Sequence, residues 1–167
     1  PITPYKLEFV DEQSVKLINS IKKNHFEINT KSAVLLEIDG DVDFIDIQSK
    51  KLLKLMQSKE HKKITIAENK TEIAELWKAR KSLSPALKEI GGYKINEDIA
   101  VPISNLTRLL NNLSAISKKY GIRIVNFGHA GNGNIHVNLI FDTIKEKNSE
   151  NSKNCLEEIF DLVLDLN

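Results

Sequence analysis

The chain has 167 residues, 24 Lys and Arg against 23 Asp and Glu, and a formal charge of +1. That length suits one domain, or two very small ones, with enough chain to bury a hydrophobic core, which excludes a disordered polypeptide. The near balance of charge leaves no field to draw the protein to a polyanion, so nucleic acid is not an expected partner. Local lysine clusters at positions 50–51, 59–63 and 118–119 sit among polar residues and read as solvated surface.

The single cysteine, Cys155, cannot close an internal disulfide. It shares an apolar helical stripe with Leu156, Ile159, Phe160 and Val163, and reads as core in a reducing compartment. No apolar run approaches the roughly 18 residues of a membrane span, and no charged-then-apolar leader precedes the first element, so the domain is expected to be soluble and cytoplasmic. Both ends are expected to be cuts in a longer polypeptide. The chain starts at Pro1 and runs at once into a strand-like segment, and it ends at Asn167 inside an apolar helical pattern with no Gly or Pro stop.

In chain order, 5–10 is short and β-prone, and Asp11 caps a helix whose Val15, Ile18 and Ile21 recur at helical spacing. Residues 33–38 form a second strand ending at the Asp39-Gly40 turn signal, followed by a helix over 43–58. A third short strand is predicted at 63–67 and a helix at 71–83, with Ile73, Leu76, Trp77 and Arg80 on one stripe. Pro85 interrupts that helix. Proline disfavours helical angles at the preceding Ser84, and Ser84-Pro85 is expected to start a short second helix that ends at Gly91-Gly92. Residues 94–101 are extended, and Ser104 is predicted to cap a helix carrying Leu106, Leu109, Leu110, Leu113 and Ile116 on one face, with Gly121 as its stop. Strands at 122–127 and 135–141 flank a glycine-rich loop, and a last helix runs from about 153 to the end. The loop is too short for a parallel crossover, so those two strands pair antiparallel. The order predicts an α+β fold over 1–167: an antiparallel sheet with helices on one face, built from two split β-α-β halves of ferredoxin-like kind.

Chemistry concentrates in Phe127-Gly128-His129-Ala130-Gly131-Asn132-Gly133-Asn134-Ile135-His136-Val137-Asn138, where three glycines, two histidines and three asparagines crowd into twelve positions. Glycines permit unusual backbone angles and close approach of a ligand, and neutral imidazoles are good ligands for zinc, iron or manganese. On the second strand His136 and Asn138 share a face opposite Ile135, Val137 and Leu139. Alternation groups His129 with Val125 and Phe127, which leaves its direction open. Two histidines leave a metal short of ligands, and Asp or Glu from elsewhere must complete the shell. The competing reading is an Asn-Gly hairpin with histidines in ordinary polar contacts. Arg80, on an apolar stripe, needs an anionic partner, supplied by a carboxylate of the protein or of a substrate. Ser84 adds a hydroxyl donor at the helix break. Lys94, Glu97 and Asp98 read as exposed charges, and His25 and His61 as surface residues.

Three ordered segments carry a resemblance: Leu76-Trp77-Lys78-Ala79-Arg80, then Lys94-Ile95-Asn96-Glu97-Asp98-Ile99-Ala100-Val101-Pro102, then the run from Gly128 to Asn138. With Leu7-Glu8-Phe9 and Leu36-Glu37-Ile38-Asp39-Gly40, they make nearly the whole chain resemble the C-terminal domain of FAD-linked oxidases. Glycolate oxidase, D-lactate dehydrogenase and D-2-hydroxyglutarate dehydrogenase belong to that family. The resemblance implies a substrate-binding lobe over the FAD of a separate N-terminal domain. It implies His129 and His136 as ligands of a divalent metal, commonly zinc, and Asn138 beside the substrate. Arg80, Ser84 and Lys94 become contacts to a substrate carboxylate. The expected activity of the full-length parent is oxidation of a small 2-hydroxyacid such as glycolate or D-lactate, with hydride passing to FAD.

Two departures from the family pattern stand out. Asn132 replaces an acidic loop residue, and the family's third metal ligand and catalytic histidine, in a Glu-His-Gly segment, are expected beyond Asn167. The chain alone is therefore expected to be inactive. The resemblance also allows other oxidase subunits as partners, and a place in the cytoplasm or peripheral to the inner face of the membrane. A stand-alone metal hydrolase would need more acidic ligands than the nearby Asp142. A non-catalytic ligand-binding or interaction module on a ferredoxin-like sheet is the alternative.

Overall fold

Strict alternation along short strands gives this sheet two different faces, and the chain covers each with its own helices. The structure is a computed structural model that describes residues 2, 4–21, 25–27, 29–57, 63–90 and 92–167. Its elements are β1 (Lys6–Val10), α1 (Glu12–Ile21), β2 (Ala33–Glu37), α2 (Val42–Gln57), α3 (Lys70–Lys81), α4 (Leu83–Glu89) and β3 (Tyr93–Ala100). They continue with α5 (Leu106–Tyr120), β4 (Arg123–His129), β5 (Asn134–Phe141), α6 (Ile144–Lys147) and α7 (Glu150–Leu166). The fold is α+β. The five strands lie in the order β2-β1-β4-β5-β3, and every pairing is antiparallel.

On one face Ile99, Ile124, Ile135, Val137 and Leu139 pack under Leu109, Leu113 and Ile116 of α5 and Cys155 and Ile159 of α7. Cys155 is fully buried, as its stripe predicts, and burial pushes its thiol up to about 11. On the opposite face Val10, Val125 and Phe127 meet Val15, Leu17 and Ile18 of α1, Ala79 of α3, and Leu83, Ala86 and Leu87 of α4. Helices therefore cover both faces of the sheet, where the sequence predicts one. The reason is visible in β4, whose residues from Ile124 to Gly128 are all buried, so that both of its sides need an apolar cover.

The split β-α-β unit occurs in the second half, where β5 lies between β3 and β4. In the first half β1 and β2 are direct antiparallel neighbours, because α1 packs over β4 and returns the chain to the outer edge of β1. Residues 63–67 form no strand. No strand among the described residues lies alongside them, and Ile66 is exposed. Ser104 falls in a 3-10 turn over Ile103–Asn105, so α5 starts after Asn105, whose Nδ2 donates to the Leu166 carbonyl at 2.6 Å. Gly121 ends α5 with a φ of 65°, as predicted. Among the described residues no helix is long and apolar enough to cross a membrane.

Asp11 is the hinge between β1 and α1. Its Oδ1 accepts from the Ser14 amide at 2.8 Å, and its Oδ2 accepts from the Asn126 backbone amide at 2.8 Å and from Asn126 Nδ2 at 2.9 Å. Burial raises the Asp11 pKa above its ordinary value of 3.8, and the hydrogen bonds from Ser14 and Asn126 oppose the rise. Asp11→Ala should lower stability by about 2–4 kcal/mol in a denaturant titration, from a lost helix cap and orphaned buried donors. Because the folded pKa lies above the unfolded one, the carboxyl favours folding most below pH 3.8 and loses that contribution as pH rises through its raised value. The stability gap between wild type and Asp11→Ala should therefore widen as pH is lowered from neutral toward 4; a gap that narrows contradicts the assignment.

Candidate functional site

Register decides which side chains can meet. In the hairpin Phe127 faces His136 and Val125 faces Asn138, while across the next pair His136 faces Asp98 and Asn138 faces Asn96. On the other side Val10 faces Phe127 and Phe9 faces Gly128. Since opposed residues share a face, His129, His136, Asp98 and Glu8 all lie on the face covered by α1 and α4, at the end those helices leave open. The direction of His129, open from alternation alone, is settled: its ring stands 5.4 Å from that of His136, the planes at 79°.

Each imidazole is backed by a carboxylate through the same nitrogen. His129 Nδ1 is bonded to Glu8 Oε1, and His136 Nδ1 to Asp98 Oδ1. The other oxygen of Glu8 accepts from Nε of Arg80 and pairs with its Nη2, both at 2.8 Å. The side chains of Glu8 and Arg80 are 9% and 11% exposed, whereas those of His129 and His136 are 50% and 24% exposed. Arg80 lies with its guanidinium carbon 4.6 Å from the centre of the Phe127 ring, and that ring is 5.4 Å from His136. A buried carboxylate, a largely buried guanidinium and two partly exposed imidazoles thus form one connected network across β1, α3, β4, β5 and β3.

Of the residues singled out in the sequence, the structure joins His129, His136 and Arg80, the last through Glu8. Asn138 lies on the same face, fully buried, with Nδ2 donating to the Val125 carbonyl at 3.1 Å and Oδ1 without a partner. Ser84 in α4 and Lys94 on β3 are exposed and make no hydrogen bond or ion pair with these residues. Lys94 lies opposite Ile140, well along β3 from the Asp98–His136 pair. His25 stacks edge-on against Phe26 at 4.8 Å, away from the network, and His61 lies outside the described residues. Glu8 and Asp98 fall in segments that carry the family resemblance, but nothing in the sequence singles them out as site residues. The only signal for Glu8 is the need of Arg80 for an anion. A concavity of about 800 Å³ opens at the far end of β4 and β5, beside Arg123, Phe141 and Asp142, and contains none of these groups.

The glycines serve the chain more than a ligand. A Cβ on Gly128 would meet the Asn134 carbonyl at 2.5 Å and Ile135 Cα at 2.8 Å, so glycine lets β4 and β5 pair closely between the histidines. Gly133 has a φ of 79°, and a Cβ there would meet the Val101 carbonyl at 2.0 Å. Its own carbonyl accepts from the Val101 amide at 3.1 Å. Gly133→Ala should cost about 2–4 kcal/mol, from left-handed backbone strain plus overpacking, and thermal denaturation should show the loss as a clearly lower Tm.

Chemically, both rings direct Nδ1 at a carboxylate and leave Nε2 for something else, the pattern seen behind metal-bound histidines. Among the described residues no group of three or more His, Cys, Asp and Glu is arranged to hold a metal. Two imidazole nitrogens are too few for a zinc shell, which would need its other donors from outside this set.

The fold and site define a sheet domain that presents a carboxylate-backed histidine pair at one end of an open face. The family model for "FAD linked oxidases, C-terminal domain" matches residues 1–167, and the chain belongs to that family. It is similar to glycolate oxidase subunit GlcD of Bacillus subtilis (strain 168), 28% identical over 165 residues that cover 99% of this chain and 35% of that protein. It is also similar to the mitochondrial D-lactate dehydrogenase [cytochrome] of Kluyveromyces lactis, 29% identical over 157 residues, covering 86% of this chain and 26% of that one. The chain thus spans about a third or less of the curated relatives it matches. In fold it is similar to 4-ethylphenol oxidase from Gulosibacter chungangensis, with a TM-score of 0.55, 12% identity, and coverage of 94% of this chain and 37% of that one.

Proposed function

We propose that this chain is the substrate-side domain of a flavin-dependent 2-hydroxyacid dehydrogenase, whose parent protein oxidises a small D-2-hydroxyacid such as glycolate or D-lactate. The observation that carries the reading is the pair of imidazoles, His129 and His136, each anchored at Nδ1 and partly exposed on a shared face. Family membership and the activities for which the relatives are named support it. In this reading a separate domain of the parent chain holds FAD as hydride acceptor, and a divalent ion, zinc by its donor set, supplies polarisation of the substrate hydroxyl.

His129 and His136 would hold that ion through Nε2. Arg80 keeps one terminal nitrogen clear of its hydrogen bonds to Glu8, and with Ser84 and Lys94 it would orient the substrate carboxylate. Asn138, whose buried Oδ1 has no partner, would stand beside the substrate. The catalytic proton acceptor lies outside the described network. The chain by itself is therefore expected neither to retain flavin nor to turn over substrate. Other oxidase subunits are natural partners for the parent, since the Bacillus relative is itself named a subunit.

The test uses the whole protein encoded by the gene. Its flavin absorbance should bleach on anaerobic addition of glycolate or D-lactate, and His136→Ala should slow the bleaching by more than about 100-fold, the upper range for loss of a metal's outer-shell support. If the parent holds no flavin, or no 2-hydroxyacid reduces it, the reading falls and a non-catalytic ligand-binding module is the better account.

A further inference from the structure

Which nitrogen of an imidazole carries the proton is decided by the partner of the other nitrogen. Glu8 is buried and has two oxygens to satisfy. Both Arg80 donors converge on Oε2 at 2.8 Å, and Oε1 is left to His129 Nδ1. A carboxylate present only to neutralise Arg80 would offer it both oxygens in the two-pronged geometry that guanidinium favours. Here the second oxygen is reserved for the ring. An ionised carboxylate can only accept, so His129 Nδ1 must donate, and in the neutral ring Nε2 is a bare lone pair.

We infer that Glu8 is a positioning residue that holds His129 in the Nδ1–H tautomer, and that Arg80 fixes the orientation of Glu8 from α3. Asp98 does the same for His136 from β3, its carboxylate bonded to that ring's Nδ1. The two bare Nε2 atoms belong to rings whose centres lie 5.4 Å apart, and imidazole nitrogen is a donor suited to zinc, copper, iron or nickel. This rests on the proposed function only for what the bared nitrogens bind. The tautomers follow from side chains that all belong to this chain.

The substitution Glu8→Gln separates a positioning role from a structural one. A glutamine amide has one accepting and one donating end, and Arg80, which only donates, takes the oxygen. The NH₂ then faces His129 Nδ1, which must accept, and the proton moves to Nε2. Adding Arg80→Met frees the amide to turn its oxygen back toward the ring. Long-range ¹H–¹⁵N correlation spectra of this chain, taken at a pH where imidazoles are neutral, read each nitrogen directly.

In the wild type both His129 and His136 should show Nδ1 in the protonated and Nε2 in the unprotonated ¹⁵N range. In Glu8→Gln the two ranges should exchange for His129 and stay for His136, and in Glu8→Gln/Arg80→Met the His129 population should move back. A wild-type His129 protonated at Nε2, or an unchanged tautomer in Glu8→Gln, overturns the inference even if one variant fails to fold. A double variant that stays like the single one removes the role given to Arg80. Adding Zn²⁺ should shift the Nε2 signals of the wild type and leave His129 of Glu8→Gln unmoved. Tautomers as stated sustain the inference even with no response to Zn²⁺, since this chain holds only two of the donors a zinc shell needs.

Discussion

A carboxylate cannot be buried in a sheet without a counter-charge, and the position of Glu8 obliges the rest of this site to form around it. Taking one member out of a buried ion pair costs about 3–5 kcal/mol, far more than the pair adds relative to well-packed apolar residues. Glu8 and Arg80 thus do little for stability in sum. They do constrain geometry, because Arg80 can reach β1 only if α3 lies across the face, and Ala79 then packs against the same cluster as Val10 and Phe127. The guanidinium over the Phe127 ring adds a contact of about 0.5–2 kcal/mol that favours the same placement. One ion pair therefore sets the docking of a helix, the face of a ring and the proton position on His129.

Asp11 performs the matching task at the other end of β1. Its two oxygens tie the start of α1 to Asn126 of β4, while the Ser14 hydroxyl donates to the Asn126 carbonyl at 2.9 Å. Between Glu8 and Asp11 the short strand β1 is held against β4 by polar side chains as well as by its ladder. That is why five residues suffice to place α1 and α3 on the histidine-bearing face.

Much of this is legible in the sequence, for reasons that particular residues make plain. Helices announced by long apolar stripes and terminal glycine, such as the one ending at Gly121, appear where the period places them. The hairpin around Gly131 and the shared face of His136 and Asn138 follow from strand alternation and loop length. Segment 63–67 has the local propensity of a strand, but a strand needs a neighbour and none of the described strands lies beside it. Coverage of both faces is not legible, because a helix's own pattern does not name the side of the sheet it will cover. In the site, the histidines and Arg80 stand out by chemical type, and the pull of Arg80 toward an anion is evident. That the anion is Glu8, 72 positions away in sequence, is a property of the fold. Asp98 is hidden for the opposite reason: an exposed acid on an edge strand has no local distinction until the register sets His136 beside it.

The burial of β4 on both sides has a consequence for motion. Its residues from Ile124 to Gly128 are enclosed between two hydrophobic clusters, and its ladder is completed by β1 and β5. Backbone so enclosed opens only with the molecule as a whole, so its amides belong to the slowest-exchanging class. His129 and His136 are mounted on this strand and its partner. Any rearrangement that accompanies ligand capture must then be made by what approaches the imidazoles, and the histidines act as a fixed datum against which the approaching groups are aligned.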